Sequence, residues 1–481
     1  MSEATKNDGD FIAIVVKEDC PTCVHVVPAL EQIAGAGLPI RVFCQDNPAF
    51  PAGVGDVVDD TDLGQSYQMN IEIVPTAIRF EGGKETGRVI GWNRPEWEVF
   101  TGLENLGPDL AENRPGCGSL SLEPGRFEEL EVRFKGDVMK SRRISIDAYS
   151  DDMEAGFERG WSDGLPVVPP TEIRVMAMLK GTTRDASEVI GVVPPNLAPC
   201  TVEKVAINAV MAGCKPEYLP LVLCAVEAAL EDKFCMHGML ATTWLCGPIV
   251  IVSGPVTKAI GMNWGGNALG QGNRANSTIG RALQLVIRNI GGGKPGGVDR
   301  SALGNPGKVG FSFAEDETDD FWPSLSSERG ATKGKSAVTL FAGDGVQMML
   351  DQKSRNPESL SKSFAATLRG VAHTKFVMAS DAIVVVCPEH YRVFKAAGWT
   401  RARFLEELTM LLQIPGEELI VGAGGIDEGL PEKMKDMTLP KFRPGGLLIV
   451  RAGGDAGMFS GIIGGWGASG DIGSTPVTRM L

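Results

Sequence analysis

Residues 11–16, FIAIVV, form an apolar, β-branched run that Lys17-Glu18-Asp19 cuts off. Cys20-Pro21-Thr22-Cys23 follows at once and opens a helical pattern carried by Val26, Val27, Leu30 and Ile33. A strand, a turn and a helix in this order leave two thiols, two residues apart, at a helix N-terminus. The unpaired N–H groups and the positive end of the helix dipole there favour a thiolate and lower the pKa of the first cysteine. Cys20 therefore reads as the nucleophile and Cys23 as the resolving thiol, since the short spacing lets the second thiol attack a mixed disulfide before substrate leaves. Further strands are expected at 39–44, 73–80 and 86–91, the last two joined by a Gly82-Gly83 turn. Strand and helix alternating over about 100 residues predict a small α/β domain.

Residues 11–103 resemble a thioredoxin-like domain, with the dithiol at the first helix and Val74-Pro75-Thr76 matching that family's cis-proline hairpin. The resemblance implies a cis Pro75 beside Cys20. The sequence departs from the family in lacking a tryptophan before the first cysteine; Glu18 and Asp19 stand there and are expected to oppose thiolate formation. Other uses of a CxxC fit less well. Half of a zinc site would need a second CxxC or a His pair, and haem attachment would need His directly after Cys23, where Val24 intervenes. A thioredoxin fold kept only as an interaction module stays open.

The chain has 481 residues, enough for two to four domains at about 150 residues each, and its 43% apolar and 22% charged content is that of a globular protein. Net charge is −14, of which −10 falls in residues 1–107, so no basic face is available to neutralise nucleic-acid phosphates. The polar, acidic start MSEATKNDGD is unlike a signal peptide, and no apolar stretch approaches the roughly 18 residues of a membrane span. The expectation is a cytoplasmic protein with neither nucleic-acid nor membrane partner, whose ten cysteines are reduced thiols.

Residues 108–145 read as a linker with one strand at 129–134. From 146 to 481 a larger α/β domain is expected, with helices at 171–180, 201–213, 216–231, 274–290, 356–370 and 400–412. Buried strands are expected at 248–253, 337–342, 382–387, 418–422 and 446–451. This interleaving predicts a mostly parallel sheet, with candidate lobes 146–330 and 331–481. A faint likeness between 248–262 and 446–458 could reflect related halves or chance.

Four segments of this part, WSDGLPVVPPT (161–171), TVEKVAINAVMAGCKPEYLP (201–220), GGNALGQGNRANSTIGRAL (265–283) and HYRVFKAAGWTRARFLEEL (390–408), resemble a bacterial family associated with UGSC selenoproteins. In those, a redox selenocysteine or cysteine begins a U/C-G-S-C motif. Cys117-Gly118-Ser119-Leu120 is similar to that motif but lacks its last cysteine; Cys117 is either a redox thiol carried on the linker between domains or a plain exposed thiol.

The glycine-rich loop at 265–272 runs into a helix starting at Asn273 or Asn276, offering N–H groups to an anion with Asn267, Arg274 and Asn276 at hand; the alternative is a capped helix in close packing. Asp163 sits on a turn facing either a cleft or solvent. Lys204 and Asn208, four apart, would orient a carbonyl or carboxylate if their helix face lines a cleft. His237, near Cys235 and Cys246, reads as a metal ligand with Cys235, a general base or a core histidine. Asp455 follows a strand, where ligands of open α/β sheets bind. Cys200, Cys214, Cys224 and Cys387 read as buried packing residues.

The function expected is a thiol-dependent oxidoreductase. The Cys20/Cys23 dithiol, the one redox group named, with no further cofactor predicted and the presence of a metal left open, passes electrons to a fused α/β domain that reduces or reductively cleaves a small-molecule substrate. Thioredoxin reductase or a small thiol would be the electron donor, and self-association into a homo-oligomer is compatible with the sequence. The alternatives are a non-redox lyase or hydrolase in the large domain and a binding protein whose dithiol controls assembly.

Overall fold

The computed structural model describes residues 9–146, 151–420, 429–467 and 473–481, which divide into two compact units, Met1–Asp137 and Val138–Leu481. Part of the strand expected at 418–422 and part of the glycine stretch 464–473 lie outside the described residues.

In the first unit the chain runs β1 (Phe11–Val16), α1 (Pro21–Gly35), β2 (Ile40–Cys44), β3 (Val57–Asp59), α2 (Gly64–Gln68), β4 (Ile73–Val74), β5 (Thr76–Glu81), β6 (Lys84–Ile90), β7 (Trp92–Asn93), α3 (Arg94–Thr101), β8 (Asn113–Arg114), β9 (Cys117–Gly118) and α4 (Arg126–Lys135). Five strands form one sheet in the order β3-β2-β1-β5-β6. The fully buried β1 lies at its centre, parallel to β2 with Val16 opposite Cys44 and antiparallel to β5 with Val15 opposite Thr76. One face of α1, with Cys23, Val26, Ala29, Leu30 and Ile33, packs into the same core.

The stretch expected as a linker belongs largely to this unit. Strand β9 pairs with β4, and 129–134 is helical within α4. Phe127, Leu130 and Phe134 recur at helical spacing, and both phenylalanines pack on Tyr67, at 5.9 and 5.4 Å between ring centres. The alternation of Leu130-Glu131-Val132-Arg133-Phe134 imitated a strand because a five-residue window cannot separate the two periods.

The second unit contains α5 (Asp152–Glu158), α6 (Glu172–Leu179), β10 (Val189–Val193), β11 (Ala198–Thr201), α7 (Val202–Ala212), α8 (Leu219–Ala229), α9 (Met236–Ala241), β12 (Gly247–Ser253), α10 (Val256–Ala259), α11 (Arg274–Asn289), β13 (Phe311–Ala314) and α12 (Leu325–Glu328). It continues with β14 (Ala337–Leu350), α13 (Pro357–Arg369), β15 (Asp381–Val386), α14 (Pro388–Ala396), α15 (Arg401–Leu411), β16 (Gln413–Pro415), α16 (Glu417–Ile420), β17 (Thr438–Pro440), β18 (Leu447–Arg451), β19 (Phe459–Gly465) and β20 (Val477–Met480). Residues 417–420 are helical, so the strand expected at 418–422 does not form there.

The unit is α/β, but its seven-stranded sheet is mixed and not mostly parallel. The order is β13-β12-β14-β19-β15-β18 with β20 also on β14. Only β12–β13 and β15–β18 pair in parallel; β14 is antiparallel to β12, β19 and β20, and β19 to β15. A strand buried on both faces carries no alternation, so its sequence does not reveal which way its neighbours run. The sheet also crosses the boundary expected between lobes 146–330 and 331–481. Ile249 and Ile251 of β12 share a core with Ile383 and Val385 of β15, although two strands lie between, so the sheet curls around that core. The opposite faces pack on α7, α8 and α11 at one end and on α13, α14 and α15 at the other. The two segments with faint sequence likeness end up unlike, β12 inside the sheet and β18 at its edge.

Candidate active site

Strand β1 ends at Val16, and Cys20 is the N-cap residue of α1, with Pro21 in the first helical turn, where its missing N–H is no loss. The Cys20 sulfur accepts the Cys23 N–H at 3.4 Å, and as a thiol it donates to the Val74 carbonyl at 3.6 Å. The Val74–Pro75 peptide is cis, and the carbonyl that takes the Cys20 thiol is the one just before Pro75.

The Cys20 thiol is pulled from its usual value down to about 5. The hydrogen bond from the Cys23 thiol is the largest cause; burial opposes it, and the Cys117 thiol and the N–H groups of Cys23 and Thr22 add to it. Burial pushes the Cys23 thiol far up, and the bond to Cys20 pushes it further, so Cys23 keeps its proton and donates it to the Cys20 thiolate. The backbone N–H groups of Glu18 and Asp19 bond the Asp46 carboxylate at 2.7 and 2.8 Å, and both side chains are exposed.

Cys117 is the third thiol of this group. It lies opposite Val74 in the β4–β9 pair, half-buried, with its pKa raised by burial and then by the bond to Cys20. Its segment is tied down on both sides. The Thr22 hydroxyl donates to the Pro115 carbonyl at 2.6 Å, the Ser119 N–H donates to Glu72, and the Ser119 hydroxyl accepts from Gln45 Nε2 at 2.7 Å. A Cβ on Gly116 would fall 2.5 Å from the Val74 carbonyl oxygen, so only glycine lets β9 come this close. The picture of Cys117 on a flexible linker is thereby corrected.

The candidates of the second unit do not form one site. The Asp163 carboxylate is engaged by Arg281 at 2.7 and 2.8 Å, with both side chains nearly covered. Lys204 Nζ donates to the Pro199 carbonyl, while the Asn208 amide bonds the Lys204 carbonyl and accepts from Asn289, so the pair does not converge on a substrate. Asn208 does line a cleft of about 790 Å³ with Glu203, Trp161, Thr171 and Asn289. Asn273 caps α11; Asn276 is buried and clamps the glycine loop through Asn263 and the Ala268 carbonyl. Arg274 donates to the carbonyls of Gly213 and Cys214, and Asn267 to that of Gln271. Asp455 forms an exposed ion pair with Arg392, and His237 is exposed on α9. Burial pushes Cys246 up to about 12, and no group of three metal-ligating side chains occurs among the described residues.

A cluster that sequence reasoning missed lies at the end of β15. Cys387 is the N-cap residue of α14 and gives its N–H to the Ser460 hydroxyl at 3.1 Å; that hydroxyl lies 2.7 Å from His390 Nδ1. His390 Nε2 donates to the Asp351 carbonyl at 3.0 Å. Burial is the largest influence on Cys387 and opposes its ionisation, but the bonds from His390 and Ser460 together outweigh it and the thiol lies below its usual value, while His390 lies above its own. Gly453, whose Cβ would stand 3.8 Å from Cys387 Cβ, lies against Cys387 and gives its N–H to the Trp264 carbonyl, so the glycine stretches at 265–266 and 453–454 meet beside that thiol. The signal was present in the sequence: Cys387-Pro388-Glu389-His390 follows a strand and opens a helix just as Cys20-Pro21-Thr22-Cys23 does. No family model and no curated protein matches the chain, so the chemistry of both centres rests on their own geometry.

Proposed function

We propose that the first unit is a thioredoxin-like thiol–disulfide exchange module and that its electrons serve reduction or reductive cleavage of a small organic substrate by the second unit, which resembles the UGSC-associated family. One observation carries the reading: the Cys20 sulfur caps α1, takes the Cys23 N–H and has the Cys23 and Cys117 thiols beside it, an arrangement that favours a thiolate on Cys20 and a proton on Cys23. The Cys20 thiolate attacks one sulfur of a disulfide and expels the other as a thiolate. Cys23 then attacks Cys20 of the mixed disulfide, its proton goes to the second leaving thiolate, and a Cys20–Cys23 disulfide remains. The substrate gains two electrons, and a small thiol or a thioredoxin reductase returns them to the dithiol.

The test replaces both neighbouring thiols, Cys23→Ser with Cys117→Ser, so that no thiol beside Cys20 can release a mixed disulfide. After treatment of the full chain with oxidised glutathione, peptide mass spectrometry is expected to find glutathione on Cys20. Unmodified Cys20 after prolonged exposure would overturn the reading. Within the second unit, Cys235 is the half-exposed thiol, and it is the first peptide to seek among Cys20 adducts formed without glutathione.

A non-redox lyase or hydrolase in the second unit is favoured by one observation, the Cys387–His390 pair with Ser460. That reading expects substrate turnover to survive Cys20→Ser and to be lost in Cys387→Ser.

A further inference from the structure

We propose that Cys117 is a second resolving thiol, so that Cys20 exchanges between two intramolecular disulfides, Cys20–Cys23 and Cys20–Cys117. The inference rests on the reading of Cys20 as the exchanging thiol and adds the route by which its mixed disulfide is released. Three separate contacts fix Cys117 beside Cys20. It is opposite Val74, whose carbonyl takes the Cys20 thiol at 3.6 Å; Thr22, two residues after Cys20, holds Pro115, two residues before Cys117; and Gly116 lets the backbones close up. The two resolving candidates differ in access. Cys23 is fully buried on the core-facing side of α1 and Cys20 is buried as well, whereas Cys117 is half-exposed, so of the three thiols it is the one that solvent reaches.

Access and proton affinity point the same way. An attacking thiol must first lose its proton, and Cys23 holds its proton more tightly than a half-exposed thiol does. When Cys20 carries a substrate sulfur, the Cys117 thiol gives up its proton to the departing thiolate and its sulfur bonds to Cys20 as the Cys20–substrate S–S bond breaks. The substrate leaves as a thiol and the two electrons come from Cys20 and Cys117. Cys23 can then attack Cys20 in turn, forming Cys20–Cys23 and regenerating the Cys117 thiol with no change in net oxidation. The buried disulfide thus becomes the store and the half-exposed one the exchange form.

The experiment compares the full-length chain with its Cys23→Ser, Cys117→Ser and doubly substituted forms, each reduced and then given one equivalent of oxidised glutathione. Released glutathione is followed in time and disulfide-linked peptides are mapped. The double variant is expected to release one glutathione and keep the other on Cys20. Cys23→Ser is expected to release both and to yield the Cys20–Cys117 peptide pair. Cys117→Ser should release the second glutathione about tenfold more slowly than Cys23→Ser does. Unsubstituted chain quenched early should contain Cys20–Cys117, a measurement that depends on no variant folding. The proposal is overturned if Cys23→Ser retains glutathione on Cys20 and the early unsubstituted sample contains Cys20–Cys23 alone. Absence of glutathione on Cys20 in the double variant would instead bring down the reading of Cys20 itself.

Discussion

Cys20 gathers its acidity from donors that a helix start supplies by spacing alone and from two thiols, one of which arrives from far along the chain. Its thiolate forms at about 5 in the folded protein and near 9.0 for a free thiol. Between those values the unfolded chain binds one more proton than the folded one, so the reduced protein gains stability as pH rises from about 5 to 9 and loses it as pH falls through the folded value. The gain is up to about 1.4 kcal/mol per pH step, and less where water screens the thiolate. Urea unfolding of the reduced protein should show this slope and Cys20→Ser should lack it. Iodoacetamide should modify Cys20 with a midpoint near pH 5; the midpoint rises in Cys23→Ala, which removes the strongest donor, and rises less in Cys23→Ser, which keeps an O–H. Cys20 and Cys23 were legible at their helix start because their spacing is local, whereas the cis Pro75 was expected from the thioredoxin-like resemblance of Val74-Pro75-Thr76. The Cys387 centre was half legible: its His390 is three residues on, but Ser460 is 73 residues away, and apolar neighbours made the thiol look like packing.

Short elements do much of the positioning and are the hardest to read. Strand β9 has two residues, Cys117 and Gly118, too few for any alternation, and it exists because Gly116 allows contact with β4. Gly116→Ala would drive a methyl against the Val74 carbonyl and Ile73, and β9 must retreat. The expected cost is about 1–3 kcal/mol in urea unfolding, together with an upward shift of the Cys20 alkylation midpoint as the Cys117 thiol withdraws. A destabilised variant whose midpoint stays put would separate Cys117 from the thiolate. The turn at Asp163 is a second such element. Its carboxylate takes two bonds from Arg281 on α11, so Asp163→Asn leaves a nearly covered guanidinium half-paired and should cost about 2–3 kcal/mol, somewhat below a fully buried pair. The long helices were legible to within a few residues, since Asn273, Asn356, Thr400 and Thr171 cap them with side-chain oxygens and amphipathic spacing fills the rest.

At the scale of the whole chain, the alternation of strand and helix patterns in each part announced α/β units but not the direction of strands or the limits of cooperative folding. The second unit has apolar strands that read alike whether their neighbours run parallel or antiparallel, and a glycine-rich β19 that gave no strand signal at all. Its unity comes from contacts that no local pattern encodes. Arg401 on α15 is fully buried, bonds Glu315 after β13 at 2.9 Å and the Ile449 carbonyl of β18 at 2.8 Å, and so ties residues from either side of position 330 into one piece. Arg401→Leu strands the Glu315 carboxylate without its cation and should destabilise the second unit by about 3–5 kcal/mol, while Arg401→Leu with Glu315→Leu should recover part of that loss, since the buried carboxylate goes with its cation and Glu328, the other partner of Arg401, is partly exposed to water. Hydrogen exchange provides the check on cooperativity: because β12 and β14 are adjacent in one sheet, amides of Ile249–Val252 and Val338–Phe341 should lose protection at the same urea concentration as those of Ile383–Val385. Separate loss in the first pair of segments and the last would mean that the curled sheet opens between β14 and β19, at the register shift between Gly343 and Val346, and that the unit melts in two parts.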